Sequence, residues 1–382
     1  MFSREEYEER RHRLLRLMEV EGLDALVLSA SKVESGYVRY YTGYESQLGI
    51  QDCSLWVVVP GSGRESTLLT NAVWDEPFET AGVDEAVIAG NFGSEVLALL
   101  PPKVGRVGIA PYPSFPAPVY AAIESRTSEI QDVTSLMLDL RALKSDAEIE
   151  ILKQVAAIAD TAADALLRQA RPGVSEREIA AEVERALRLA GSGPIIFSTI
   201  LCSGPRTARV IALPGERRLQ NGDLVQLDCG PSLDGYRGDF SRVIYIGEPD
   251  RRDLAMCETT ALMYEKCVES LRPGVRASQI ARDVIEIAKE AGYGPENFYQ
   301  SRIAKPNFVG HGIGLGNPDA PQLSTADDTV IQAGMVINIE PILRIPGRGG
   351  TRIEDAVVVG NVGAVRLSAC PIRLWQTGEH YA

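Results

Sequence analysis

Behind Ser3 and Glu6, a capping-box pattern, apolar positions recur at helical spacing and predict an amphipathic helix running towards Val20. Short apolar runs follow at DALVLSA, SLWVVVP, STLLT and EAVIAG and predict strands, with helical stretches SEVLALL and APVYAAIESR between or after them. This alternation predicts a small α/β domain over residues 1–140. The stretch contains no metal-ligand cluster and no nucleophile motif.

The pattern changes at DLRALKSDAEIEIL, where Ser145 and Glu148 repeat the capping-box signature and open a long Ala-rich helix to about Ala170. Beyond it the chain resembles itself. RPGVSEREIAAEVERALRLAGSGP begins at Arg171 and RPGVRASQIARDVIEIAKEAGYGP at Arg272, an offset of 101, with Arg-Pro-Gly-Val, Ile-Ala, Val, Ala-Gly and Gly-Pro coinciding. The repeat extends more loosely into two acidic strands: GDLVQLD ends in Asp228 and GMVINIE in Glu340, and Asp239 and Glu354 follow in the next strand of each half. A pseudo-two-fold domain over 141–382 would bring these four carboxylates together at its centre. The fold class expected for the whole chain is α/β (α+β).

Composition narrows the function. With 45% hydrophobic residues in 382 the chain can bury a large core. Its net charge of −13 argues against partners that need basic surface, nucleic acid and anionic membrane among them. Six cysteines without Cys-x-x-Cys spacing read as free thiols of a reducing compartment. MFSREEYEERRHRLL is charged and helical, unlike a signal peptide, and no apolar run approaches the ~18 residues a bilayer span needs. The expectation is a soluble, cytoplasmic protein.

Of three histidines, His311 lies in VGHGIGLG, between the two acidic strand pairs. Taken singly, an Asp in LDGYRGD is most often a turn-former, as Asp234 is expected to be, Glu354 and Asp355 beside Arg352 suit a surface ion pair, and a His among glycines suits a loop. Taken as an ordered set on two related halves, four carboxylates and one imidazole on apolar strands make a poor core and a good cage for two divalent cations. Hard oxygen ligands with one imidazole suit Mn²⁺, Co²⁺, Fe²⁺ or Zn²⁺, and a close pair of such ions is a hydrolytic device.

The order Asp, ten residues, Asp, then His in GHGIG, Glu before Pro, and Glu in RIED resembles the pita-bread metallopeptidase family: Xaa-Pro aminopeptidases, prolidases, methionine aminopeptidases and creatinase. The likeness runs from about Arg141 to Val359, and the amino-terminal domain is similar to that of the aminopeptidase P, prolidase and creatinase branch. The resemblance implies that Asp228 ligates one metal and His311 the other, that Asp239 and Glu354 bridge both, and that Glu340 is a ligand and the general base for a bridging hydroxide nucleophile. It places Tyr236 and Arg352 near the site. It also implies a homodimer whose amino-terminal domain borders the partner's active site.

Two positions depart from that pattern. Peptide-cleaving members carry a histidine where this chain has Ile211, and a second, in a His-Glu-x-Pro element, where it has Pro318 and Asp319. Arg206 and Arg209 lie in the first substituted segment and could grip an oxyanion or carboxylate; Arg344 and Arg348 lie near Glu340. Ordinary surface arginines are the plain alternative for all four. Cys229 adjoins Asp228 on its strand and is expected to point away from the metal into packing, and Cys202 also reads as packing.

The function implied is hydrolysis of a peptide or small amide C–N bond in the manner of an Xaa-Pro peptidase. The missing histidines leave a second reading, a small non-peptide substrate handled by a creatinase-like C–N hydrolase or a lyase. A non-catalytic binding protein on the same fold is a third, disfavoured because all five ligands remain.

Overall fold

A computed structural model describes residues 2–31, 35–44, 53–63, 65–71, 82–209, 211–298, 307–316, 318–376 and 379. The chain divides into two compact units, Met1–Arg141 and Ala142–Ala382.

In the first unit the opening helix, Arg4–Glu21, is capped by Ser3, whose hydroxyl accepts the Glu6 N–H at 3.3 Å. The expected reciprocal half of the capping box is replaced: Arg10 donates to the Glu6 carboxylate over 2.9 Å. Gly22, at φ 65°, closes the helix in the left-handed conformation a Cβ would resist. Among the described residues this unit holds one six-stranded sheet, in the order Glu85–Ile88, Ser66–Thr70, Ser54–Val58, Ala25–Ala30, Val104–Ala110, Thr127–Asp132. Val27, Leu55, Val57, Leu69, Val107 and Ile109 join Val96, Val119 and Ile123 from the helices Phe92–Leu99 and Ala117–Glu124 in its core.

The second unit folds one plan twice. Helices Asp146–Gln169 and Glu176–Leu189 serve the first half; Arg251–Ser270 and Ala277–Glu290 serve the second. The paired helices Glu176–Leu189 and Ala277–Glu290 have 14 residues each and start and stop 101 positions apart, the offset of the sequence repeat. The capping boxes at Ser145 and Ser175 are both complete, whereas Arg276 stands at the equivalent of Ser175 and caps nothing.

Each helical pair covers one face of a sheet. The first sheet runs Trp375–Gln376, Phe240–Tyr245, Leu224–Cys229, Ile200–Ser203; the second runs Asp319–Leu323, Gly310–Gly312, Val336–Ile339, Asp355–Val359, Ala364–Arg366. Registers match across the halves: Cys202 opposes Gln226 as His311 opposes Asn338, and Arg242 opposes Leu227 as Asp355 opposes Ile339. Strand alternation then sorts the residues. Val225, Leu227 and Cys229 enter the core of the first half, and Ile337 and Ile339 that of the second. Gln226, Asp228, Asn338 and Glu340 take the opposite face. The two sheets meet through paired hydrogen bonds between Ser241 and Glu354, N–H to carbonyl in both directions at 3.2 and 3.1 Å.

Among the described residues no helix is long and apolar enough to cross a membrane.

Candidate metal centre

Asp228 is the penultimate residue of the strand Leu224–Cys229, and Asp239 follows a hairpin whose turn residues Asp234 and Gly235 both take positive φ, 47° and 78°. That is the backbone a two-residue I′ turn requires, so Asp234 is the turn-former. His311 occupies a three-strand crossing that only glycines permit on either side of it. A Cβ on Gly310 would lie 2.4 Å from the Asn338 carbonyl oxygen, and one on Gly312 would lie 2.0 Å from that of Ala320. The glycine-rich stretch is therefore a packing requirement that seats the imidazole.

These residues converge. Ligand atoms of Asp239, His311 and Glu354 all lie within 4.8 Å of one another. His311 Nδ1 donates to the Gly312 carbonyl over 2.8 Å, which turns Nε2 towards Asp239 at 3.5 Å and Glu340 at 3.7 Å. Phe308 stacks on the imidazole with ring centroids 5.9 Å apart. Arg352 ion-pairs with Asp228 and reaches Glu340 at 3.4 Å and Glu354 at 3.8 Å. None of these six polar side chains is more than 10% exposed.

Burial is the main electrostatic cost. It pushes the carboxyls of Asp228 and Glu354 well above the usual range, neighbouring carboxylates add to the rise, and the Arg352 guanidinium opposes it. Glu340 is raised by burial against the pull of His311 and Arg352. Burial pulls the His311 imidazole down, but its hydrogen bond to Asp239 and the Glu340 charge outweigh that and hold it at about 9.

This donor set fits divalent cations. Asp228 Oδ1 and Glu354 Oε2 are buried oxygens without a hydrogen-bond partner, an arrangement that is costly unless something positive meets them. Four buried carboxylates face one guanidinium and one imidazole, so the site is short of positive charge.

Other residues singled out in the sequence go elsewhere. The Tyr236 hydroxyl donates to Glu148 Oε1 over 2.9 Å, inside the unit. Arg206 ion-pairs with the buried Glu176 and donates to the Leu213 carbonyl. Arg348 pairs with Asp250 and, at 2.8 Å, with Asp253, while Arg209 is exposed. Ile211 is 67% exposed and Pro318 is also on the surface. Cys229 and Cys202 are fully buried, and Cys229 joins the first half's core, away from the carboxylates.

Two features were missed in the sequence. Asn338 donates to Glu354 Oε1 over 2.7 Å; its place two residues before Glu340 on a strand was the available signal. Asp355, which taken singly suited a surface pair with Arg352, is instead buried against Arg242.

Residues 150–361 match the profile of metallopeptidase family M24. Over 245 residues the chain is 36% identical to the Xaa-Pro dipeptidase of Pyrococcus furiosus, covering 64% of this chain and 68% of that one. It is 35% identical over 231 residues to the putative dipeptidase YkvY of Bacillus subtilis, covering 60% and 61%. Among solved structures, the prolidase from Pyrococcus furiosus superposes with a TM-score of 0.81 at 31% identity, covering 93% of this chain and 99% of that one. The Xaa-Pro dipeptidase from Bacillus anthracis does so at 0.84 and 28%, covering 97% and 99%. The chain belongs to metallopeptidase family M24, the pita-bread metallohydrolases.

Proposed function

We propose that this metallohydrolase holds two divalent ions, of Mn, Co, Fe or Zn, and cleaves Xaa-Pro dipeptides or a closely related small amide. The observation that carries the reading is the buried convergence of Asp239, His311 and Glu354 beside the unpartnered oxygens of Asp228 and Glu354. The relatives, an Xaa-Pro dipeptidase and a prolidase, give the substrate class.

In this reading Asp228, Asp239, His311, Glu340 and Glu354 hold the ions, with Asp239 and Glu354 shared between them. When bound, the ions polarise the scissile carbonyl and acidify the attacking water. His311 presents Nε2 because Nδ1 is committed to the Gly312 carbonyl. Glu340 takes the proton from the water and returns it to the departing amide nitrogen. Arg352 holds Glu340 and Asp228 in place and keeps part of their charge balanced.

The same reading makes the amino-terminal 1–140 segment a creatinase/prolidase-like domain, the enzyme a homodimer and its compartment cytoplasmic. Six free thiols support a reducing environment. A second reading, a small non-peptide substrate, rests on Ile211 and Pro318 standing where peptide-cleaving relatives are expected to carry histidines.

The deciding experiment assays purified protein on an Xaa-Pro dipeptide panel after stripping and reconstitution with each ion. Turnover that requires a divalent ion and stops with chelator supports the first reading. Turnover of none of the panel, with metal bound, favours the second; activity indifferent to chelator overturns both.

A further inference from the structure

Asn338 is an odd residue for its position. It sits in the middle of the apolar strand Val336–Ile339, opposite His311 on the adjoining strand, and is fully buried. Its Nδ2 donates to Glu354 Oε1 over 2.7 Å, whereas its own Oδ1 is buried without a partner. An orphaned buried amide oxygen carries a desolvation penalty that an apolar residue of the same shape would avoid. Among the described residues, the side-chain amide's one hydrogen bond is the one to the Glu354 carboxylate.

The amide acts on Glu354 differently from the guanidinium beside it. Arg352 also approaches this carboxylate, at 3.8 Å, but as a cation it competes with whatever positive charge the site receives. Asn338 is a neutral donor, so it fixes the carboxylate without altering the charge of the cage. It occupies Oε1, while Oε2 makes no hydrogen bond and has only the Arg352 Nε 3.8 Å away. Backbone hydrogen bonds to Ser241 fix the Glu354 main chain, and the Asn338 amide then fixes the side chain.

We infer that Asn338 is a positioning residue, holding the Glu354 carboxylate in the orientation that meets a metal ion. The inference rests on the reading of Glu354 as a metal ligand. Groups that orient ligands in this way typically contribute ~10–100-fold to metal affinity.

The test uses the full chain, stripped with chelator and titrated calorimetrically with Mn²⁺ or Zn²⁺, together with the absorption spectrum of the Co²⁺-loaded protein. Wild type is compared with Asn338→Leu, Asn338→Ser and Glu354→Gln. Both Asn338 variants should bind metal ~10–100-fold more weakly and show an altered Co²⁺ spectrum, a change in the ligand field that a merely structural role would not produce. If Asn338→Leu does not fold, the smaller Asn338→Ser decides by the same affinity readout. Wild-type affinity and spectrum in the Asn338 variants, with Glu354→Gln impaired, would overturn the inference and leave Glu354 as a ligand. A wild-type protein that binds no divalent ion, or a Glu354→Gln variant that binds as wild type does, would instead sink the reading beneath it.

Discussion

Arg242 Nη2 lies 2.9 Å from each carboxylate oxygen of Asp355, and neither side chain reaches water. The pair occupies matching positions in the two halves of the second unit and stands immediately beside a candidate ligand, because Arg242 Nη1 also donates to the Glu354 carbonyl over 3.1 Å. The guanidinium further donates to the Cys370 carbonyl, and Asp355 accepts from Tyr264 over 3.3 Å.

Breaking this pair should be expensive. Arg242→Met removes the main partner of the buried Asp355, leaving it only Arg366 at 3.2 Å and the Tyr264 hydroxyl, and destabilisation of up to about 3–5 kcal/mol is expected by urea unfolding. Adding Asp355→Leu to that variant should recover much of the loss, since no buried carboxylate is then left short of its partner and Arg366, the other cation on Asp355, is 29% exposed. A single variant within about 1 kcal/mol of wild type would show that the pair contributes little to the junction of the halves.

Stability of the metal-free protein should fall as pH rises. Burial first, and neighbouring carboxylates after it, raise Asp228 and Glu354 above their unfolded values, so the folded state binds their protons more tightly. That gain is greatest below the unfolded carboxyl pKa of ~4 and is lost at higher pH. His311, held at about 9 against an unfolded value of ~6.5, adds stability that is complete below the lower value and is lost through the upper one. Thermal melts of stripped protein from pH 5 to pH 9.5 should therefore decline. Metal must displace these protons, so its affinity should climb over the same range, with proton release detectable by calorimetry in buffers of differing ionisation enthalpy. Melting temperatures that stay flat across the range would mean that these groups titrate in the folded chain as they do in the unfolded one.

Glu340→Gln should reduce turnover by at least ~10²–10⁴ while sparing the fold, since it removes a proton acceptor and keeps the side-chain shape. The check is kcat alongside circular dichroism and metal content. Retained turnover would move the proton transfer to another group.

Ile211→His and Pro318→His should leave stability within ~0.5 kcal/mol, because both positions lie on the surface. If missing histidines limit peptide cleavage, the double variant should gain up to ~10²–10³ on Xaa-Pro dipeptides. No gain in a folded, metal-loaded double variant would place the specificity in other residues.

Where one physical cause dominated a segment, the sequence was legible. Ser145 opens its helix as read because a hydroxyl and a Glu three residues on satisfy two orphan N–H groups locally, and Ser175, not singled out in the sequence, does the same. The repeat at Arg171 and Arg272 reappears as two helices of one length. Strand Thr127–Asp132 went unread because it lies at a sheet edge, half exposed, and shows no apolar run. Val104–Ala110 was obscured by two glycines that close packing demands: a Cβ on Gly105 would lie 2.4 Å from the Asp24 carboxylate, and one on Gly108 would touch Leu23, Leu26 and Val133. The short helix Gly36–Thr42 is rich in aromatics and carries no strong helical pattern. The Arg242–Asp355 partnership was beyond reach, since a buried pair separated by 113 positions leaves no local trace.

The meeting of Arg242 with Asp355 also bears on how a doubled fold can have arisen. Two identical half-chains assembled about a true two-fold axis would have to set each residue at this level against its own copy, arginine on arginine or aspartate on aspartate. Oppositely charged partners at equivalent positions are open only to halves whose sequences are free to diverge, as they are within one polypeptide. The same holds for Ser241 and Glu354, which face each other across the junction with unlike side chains. Neither half of the second unit, expressed alone, could therefore substitute for the other by self-association: covalent fusion is what allows the centre to be asymmetric.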